Sequence, residues 1–553
     1  MKKLSLTILL LLVAFAALNY LSNLFYFRLD LTTEKRFTLA QSTKNMLQSI
    51  ESDVFVKVYL TGSELPGGFK RLETAIKQTL DGFQAVSNQK INYRFINIYD
   101  EYKTEADREK LIASLAQKGI IPTNIVTKKE GKNTEILILP GAIISYQNQE
   151  LPLFLLKGSK LISPQETLNQ ATEGVEFELA TAIKQLTQKE KKKIGFFVNY
   201  STLPAIRQIN LIALLKKNYD LFPVDLTASP TLDGLDAIFV MKPDKVFTDE
   251  DKFKIDQFII KGGKALFFID PVKIDSLGLE GNFAKPFSVN LEDMFFKYGA
   301  RLNTNLLKDM QLSAAIPMNV GAIGESPNIQ LIPWPYFPLI NTKEDHPIIR
   351  NLDAIHLKYT STIDTINTPK IKKTALLSTS EYTQILQTPA TLSYNSAAKD
   401  FDPNKQTQGK KVVSYLLEGT FDSFYTNSIL PSDPRFAQFK AVDKPSKIII
   451  CADGDLPTND YDQTTMQPLP LGFDKYSKHT FANADFVKNA VDYLLDPNGI
   501  IAARTKYIAL RPLDKAEITD HRLKWQIINL AIPLLFLVLL FAIFTFYSKK
   551  KFQ

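Results

Sequence analysis

The chain has 553 residues, of which 45% are hydrophobic and 22% charged, the proportions of ordinary globular protein, so wholesale disorder is excluded. Its net charge of +8 is dispersed, with dense runs only at Lys189–Lys193 and at the C-terminal lysines, which speaks against a nucleic-acid-binding face. A single cysteine, Cys451, rules out an intrachain disulfide and a Cys-x-x-Cys redox pair, and four scattered histidines (His346, His356, His479, His521) give no metal-ligand spacing.

In chain order, Met1-Lys2-Lys3 precedes an uncharged apolar run from Leu4 to Phe27, long enough to span a bilayer. A cleaved signal peptide with Ala14-Phe15-Ala16 as the small-residue site is the alternative, but apolar residues continue well past that site (Leu18, Leu21, Leu24, Phe25) and favour an anchor over residues 1–27. A helix is expected from Gln41, with Met46, Leu47 and Ile50 on its apolar face, then a strand at Val54–Leu60. Phe69, Leu72, Ile76, Leu80 and Phe83 then recur at helical spacing. A strand at Ile91–Tyr99, a helix at Asp107–Gly119, a strand opened by Ile121-Pro122, and a hairpin pairing Ala142–Tyr146 with Glu150–Leu156 complete residues 28–164. This order resembles a thioredoxin-like fold, in which the proline opening the third strand is cis. Pro66-Gly67-Gly68 stands where that fold carries its dithiol, so the resemblance implies a binding or scaffolding module without redox chemistry.

Residues 165–193 read as a helical connector with Phe177, Ala180 and Ile183 on one face. From Ile194 strands and helices alternate: Ile194–Val198, a helix over Ala205–Asp220, LFPVDL, Asp236–Met241, a helix opened by Thr248 and Asp251, and Lys264–Pro271. Continuous apolar runs in the strands imply a doubly wound parallel sheet covered on both faces. Residues 194–520 therefore resemble the class I glutamine-amidotransferase-like fold. In the active enzymes the strand ends in an elbow carrying a nucleophilic cysteine; here it reads Phe268-Ile269-Asp270-Pro271-Val272, without thiol or flanking glycines, and no Gly-x-Ser-x-Gly occurs as a replacement. No catalytic residue and no cofactor is assigned.

Two stretches are candidates for a site. Trp334, Tyr336 and Phe337, in the Pro-rich run Ile332–Ile340, could form a ligand or partner surface, or simply pack as an extended segment on the sheet. Asp453 and Asp455, at the end of the apolar strand KIIICADGDL, stand where doubly wound sheets place ligands and are weak candidates for a metal, two carboxylates being few for a cage. Cys451 reads as an inert small hydrophobe. A helix at Phe486–Leu495 and a strand-like run at Ala503–Leu513 lead to residues 521–553, where Trp525–Tyr547 carries no charge and is followed by Lys549, Lys550 and Lys551. That reads as a second anchor with a cytoplasmic basic tail, which puts both termini in the cytoplasm and the main body in the periplasm.

The juxtamembrane RLDLTTEKRFTLAQSTKNML, GGKALFFIDP, CADGDL and ANADFVKNAVDYLL, in that order, resemble the GldG family, the auxiliary and substrate-binding subunits of the gliding-motility ABC transporter of Bacteroidota. The resemblance implies a non-enzymatic inner-membrane subunit working with a multispanning permease and a separate cytoplasmic ATPase. No Gly-x-x-x-x-Gly-Lys-Ser/Thr occurs, so the chain has no phosphate loop of its own. The alternatives are a periplasmic glycan- or peptide-binding module using the aromatic run, and a hydrolase built around Asp453 and Asp455.

Overall fold

The computed structural model describes residues 38–505, apart from 63, 130–131, 157–162, 277–280, 324–325, 342–345, 394–406, 430–431 and 497–498, together with residues 520–551 and the single residue 15. The expected N-terminal span lies outside the described residues.

From residue 38 the described chain runs through α1 (Gln41–Gln48), β1 (Val54–Val58), α2 (Gly67–Val86), β2 (Ile91–Phe95) and α3 (Glu105–Gln117). There follow β3 (Thr123–Lys129), β4 (Lys132–Ile138), β5 (Gly141–Tyr146) and β6 (Gln149–Phe154). The stripe predicted on α2 is the buried one: Phe69, Leu72, Ile76, Leu80 and Phe83 all face the core. A four-stranded sheet runs β2-β1-β5-β6, with β1 parallel to β2 and antiparallel to β5. The strand expected at Thr123 is not in this sheet; it pairs with β4 as a separate hairpin, and β5 takes the third place. Thr388–Pro389 is the one cis peptide among the described residues, so Ile121–Pro122 is trans.

The expected connector is α4 (Pro164–Thr187), capped by Ser163 and buried along Phe177, Ala180 and Ile183. It leads into β7 (Lys192–Phe197), α5 (Ile209–Lys216), β8 (Tyr219–Val224), β9 (Ala237–Met241), α6 (Asp249–Ile260), β10 (Lys264–Phe268) and α7 (Glu292–Tyr298). The helix predicted over Ala205–Asp220 is shorter than expected, because Ala205–Arg207 form a 3-10 turn and Tyr219 and Asp220 already belong to β8. Next come the long hairpin β11 (Ser313–Ile323) and β12 (Ser326–Ile340), then β13 (Ile371–Ser378), β14 (Val412–Gly419), β15 (Ser446–Cys451) and α8 (Asn483–Leu495).

The second sheet has seven strands in the order β13-β14-β15-β10-β9-β7-β8. The five from β15 to β8 are parallel, and β13 and β14 add an antiparallel edge. Alternate side chains go to opposite faces, as the strand repeat requires. Phe239, Leu266, Phe268, Ile449 and Cys451 meet α5 and α8 on one side. Ile238, Val240, Phe267, Ile448 and Ile450 meet α6 and α7 on the other.

α6 is buried nearly all round, Asp251, Lys252 and Asp256 included. Residues 421–429 and 432–441 lie against it: Asp256 accepts hydrogen bonds from Ser423 Oγ (2.6 Å) and the Phe424 N–H (2.8 Å), as well as from Tyr298 Oη of α7 (2.7 Å), and Gln257 accepts the Lys440 N–H (2.6 Å). Beyond α8, residues 500–505 turn as a 3-10 helix rather than the strand-like run expected from Ala503, and Ile500, Ile501 and Ala503 pack into the N-terminal core beside α1, α2 and α4. The remainder of that run lies outside the described residues.

Residues 507–553 form a separate compact unit. Within it α9 (Arg522–Lys551) contains a 25-residue stretch, Arg522–Phe546, whose most apolar 18 residues have a mean hydropathy of 2.9, with Pro533 inside it. It is long and apolar enough to cross a membrane.

Candidate functional site

Three neighbouring parallel strands end in charged residues, and their register brings those ends together. Lys242 follows β9, Asp270 lies two residues past β10, and Asp453 and Asp455 follow β15. Carboxylate oxygens of Asp270, Asp453 and Asp455 all lie within 4.8 Å of one another. The two sequence candidates thus gain a third carboxylate, Asp270, from the end of β10. Gly454 makes the approach possible. A Cβ there would stand 2.9 Å from both Asp270 Oδ2 and Lys242 Cγ, and the bare Gly454 N–H donates to Asp270 Oδ1 at 2.5 Å.

The acids do not face one another unopposed. Lys242 Nζ lies 2.8 Å from Asp270 Oδ2 and 2.6 Å from Asp455 Oδ2. Its backbone sits in the left-handed region (φ 43°), with its carbonyl accepting from Ser201 Oγ at 2.9 Å. Arg207 Nη2 reaches Asp455 Oδ1 at 3.2 Å and Asp460 Oδ1 at 3.4 Å, and Lys358 Nζ reaches Asp460 Oδ2 at 2.9 Å. Asp453 is fully buried and accepts the N–H groups of Lys358 (2.7 Å), Asp455 (2.8 Å) and Leu456 (3.0 Å).

Charge follows geometry. Burial alone would raise Asp455, but the ammoniums of Lys242 and Lys358 hold it down to about 2. Burial, Asp270 and Asp455 push Asp453 well above the carboxylate range. Asp270, Asp455 and Asp460 are each paired with at least one of Lys242, Arg207 and Lys358. As a metal centre the arrangement fits poorly: an ion needing six or more oxygens would compete with an ammonium already bridging two of the three carboxylates. The cavities of about 570, 410, 260 and 220 Å3 are all lined by other residues.

Trp334, Tyr336 and Phe337 are corrected as a ligand surface. Trp334 is 0% exposed and Tyr336 6%, because the alternation of β12 turns both rings inward onto Val272, Leu306 and Met318. Phe337, partly buried, packs edge-on against Tyr359. They form a packed cluster, the other reading that the prolines allow. Cys451 is fully buried and its thiol is pushed far up by that burial, as an inert core residue should be. His356, which no sequence pattern marks, is 8% exposed between Phe337 and Phe481, and burial lowers it to about 4.

A family model described as an ABC-type uncharacterized transport system matches residues 191–490, more than half of the chain. A model described as a domain of unknown function matches residues 33–145. An uncharacterized protein of Borreliella burgdorferi is 25% identical over 409 residues, covering 72% of this chain and 74% of its own length. Among solved structures, the mmIFT52 N-terminal domain aligns over 58% of this chain and 100% of its own at 11% identity, with a TM-score of 0.29. The exo-beta-1,4-mannosidase Op5Man5 from Opitutaceae bacterium strain TAV5 aligns over 60% of this chain and 43% of its own, also at 11% identity, with a TM-score of 0.22.

Proposed function

Since the chain belongs to the ABC-type uncharacterized transport system family, whose auxiliary character suggests a non-catalytic role, we propose that it is a membrane-anchored accessory subunit that works with a separate multispanning permease and a cytoplasmic ATPase. The observation that carries this reading is the strand-end cluster. At the place where a doubly wound sheet offers its chemistry, the acidic groups are tied to Lys242, Arg207 and Lys358 rather than held ready for a substrate.

The finer assignments are part of the same proposal. Residues 28–164 form a thioredoxin-like module, supported by the order β2-β1-β5-β6 with its parallel and antiparallel pairings. Residues 165–193 form a connector. Residues 194–520 form an amidotransferase-like module, supported by five parallel strands whose chain order, read across the sheet from β8, is 2-1-3-4-5. Residues 1–27 and 521–553 anchor both ends, with the termini cytoplasmic and the body periplasmic; the apolar stretch Arg522–Phe546 supports the second anchor. By resemblance to GldG, the complex serves gliding motility. Two anchors would make the body an arm that moves when the permease moves.

Purification of the intact chain from its native membrane in mild detergent, with mass spectrometry of what accompanies it, tests the reading. A multispanning permease and an ABC ATPase in comparable amounts are expected. A chain that comes down alone would overturn it.

A further inference from the structure

Between Trp525 and Tyr547 the apolar helix α9 carries an amide or hydroxyl side chain at Gln526, Asn529 and Thr545 alone. They are not equally provided for. Thr545 Oγ1 lies 2.9 Å from the carbonyls of Phe541 and Ala542, so its hydroxyl is satisfied by its own helix. Gln526 and Asn529 are exposed, and neither carboxamide has a hydrogen-bond partner among the described residues. Pro533 adds a further group, because it has no N–H to offer the Asn529 carbonyl four residues before it.

In water these groups need no protein partner, but in a bilayer they do. The hydrocarbon core takes about 20 residues of helix, and centred on Trp525–Tyr547 it starts near Gln526 and takes in Asn529. A carboxamide there gains by bonding to another helix. Spacing then says where that helix lies. Gln526, Asn529, Pro533, Phe536, Leu540 and Ile543 follow one another at alternating steps of three and four, which is the seam of a left-handed helix pair. Thr545, the satisfied one, falls on the other side. Two copies of one membrane chain cross in the same direction, so across a two-fold axis each residue meets its own counterpart at the same depth. Only a group that both donates and accepts can bond to its own copy, and a carboxamide does both. The seam carries no charge to repel its counterpart.

We propose that α9 is a self-association helix: two copies of the chain pair in the membrane along this seam, with Asn529 and Gln526 bonding amide to amide across the two-fold. The inference rests on the membrane-anchor part of the accessory-subunit reading and does not need the permease.

The test uses the full-length chain. Native membranes are first washed with alkaline carbonate, and the chain should stay with the membrane. It is then extracted in density-matched mild detergent for sedimentation equilibrium, where a reversible monomer–dimer equilibrium is expected. Asn529→Leu should weaken the dimer roughly tenfold, the scale of an interhelical hydrogen bond in a membrane, and Gln526→Leu, nearer the headgroups, by less. Asn529→Gln keeps a carboxamide and should keep most of the affinity, and Val538→Leu, on the opposite side of the helix, should change nothing. Both leucines at the seam make the span more apolar, so these variants remain in the membrane, which separates lost pairing from lost insertion. A chain that stays monomeric, or a dimer indifferent to both Asn529→Leu and Gln526→Leu, overturns the proposal and leaves the anchor standing. A permease that accompanies a monomeric chain does the same and keeps the accessory-subunit reading, whereas release by carbonate overturns the anchor and the pairing together.

Discussion

The strand-end cluster and the seam between α4, β8 and α8, where a cavity of about 220 Å3 is lined by Thr181, Lys184, Asn218 and Asp492 among others, are two polar regions of one compact unit, and they are opposites. In the cluster, the acids and cations are engaged with one another, and Gly454 is stripped of a Cβ so that they can approach. At the seam there is open volume, and behind its wall two solvent-inaccessible atoms, Thr181 Oγ1 and Asn218 Oδ1, have no hydrogen-bond partner among the described residues. Richness in charge therefore does not by itself mark a place of binding. At the cluster a ligand must first break a bond before it can make one.

The contrast is easiest to break at Lys242. Lys242→Met leaves Asp270 and Asp455 facing each other without their shared ammonium, and removing one partner of a buried ion pair typically costs about 3–5 kcal/mol. Chemical denaturation of the full chain should show a loss of that order, largely recovered when Asp270→Asn and Asp455→Asn are added. A loss under about 1 kcal/mol would mean that the cluster is as slack as a surface pair.

Next in size is pH. His356 falls from 6.5 to about 4 on burial, so the unfolded chain takes up its proton first. Its contribution is fully present above pH 6.5 and declines as pH falls towards 4, by about 3 kcal/mol at roughly 1.4 kcal/mol per unit. His356→Phe should flatten that slope in melting temperature against pH. Asp455 acts lower down: held at about 2, its stabilisation is present above its ordinary 3.8 and is lost as pH drops through about 2. If the parent and His356→Phe chains lose stability in parallel between pH 6.5 and 4, that acid sensitivity comes from elsewhere.

The smallest effect has the opposite sign. Thr181→Val removes an unpaired hydroxyl and should raise unfolding free energy by about 1 kcal/mol. A fall instead would show that the hydroxyl is satisfied, and the seam would lose its distinction from the cluster.

Much of this architecture is written in local pattern. The α2 stripe, the apolar strands at Ala237, Lys264 and Ser446, and the buried face of α4 follow from periodicity alone. The site was legible only in part. Asp453 and Asp455 stand out beside each other, but Asp270 is 183 positions away from Asp453, and only the β10–β15 register makes them neighbours. A signal did exist, in apolar strands that end in Lys242, Asp270 and Asp453. Nothing in the sequence marks the seam, because no one segment contains it. The aromatic run alone leaves surface and packed segment both open, and the two-residue repeat of β12 decides which rings go in. In α6 the charged Asp251, Lys252 and Asp256 are buried, and for Asp256 the partners are Ser423 and Phe424 from far along the chain, which the helix's own sequence does not show.

The lone cysteine has a practical side. Cys451 sits at the centre of the seven-stranded sheet between β10 and β14, with no exposed surface and a thiol too high in pKa to react. The native chain is therefore already a silent background for thiol chemistry. A cysteine introduced at an exposed position such as Glu250 would take a label alone, and Cys451 itself would answer a reagent only when the middle of the sheet comes apart. The rate at which it does so is a clock for that opening, present in the molecule without any engineering.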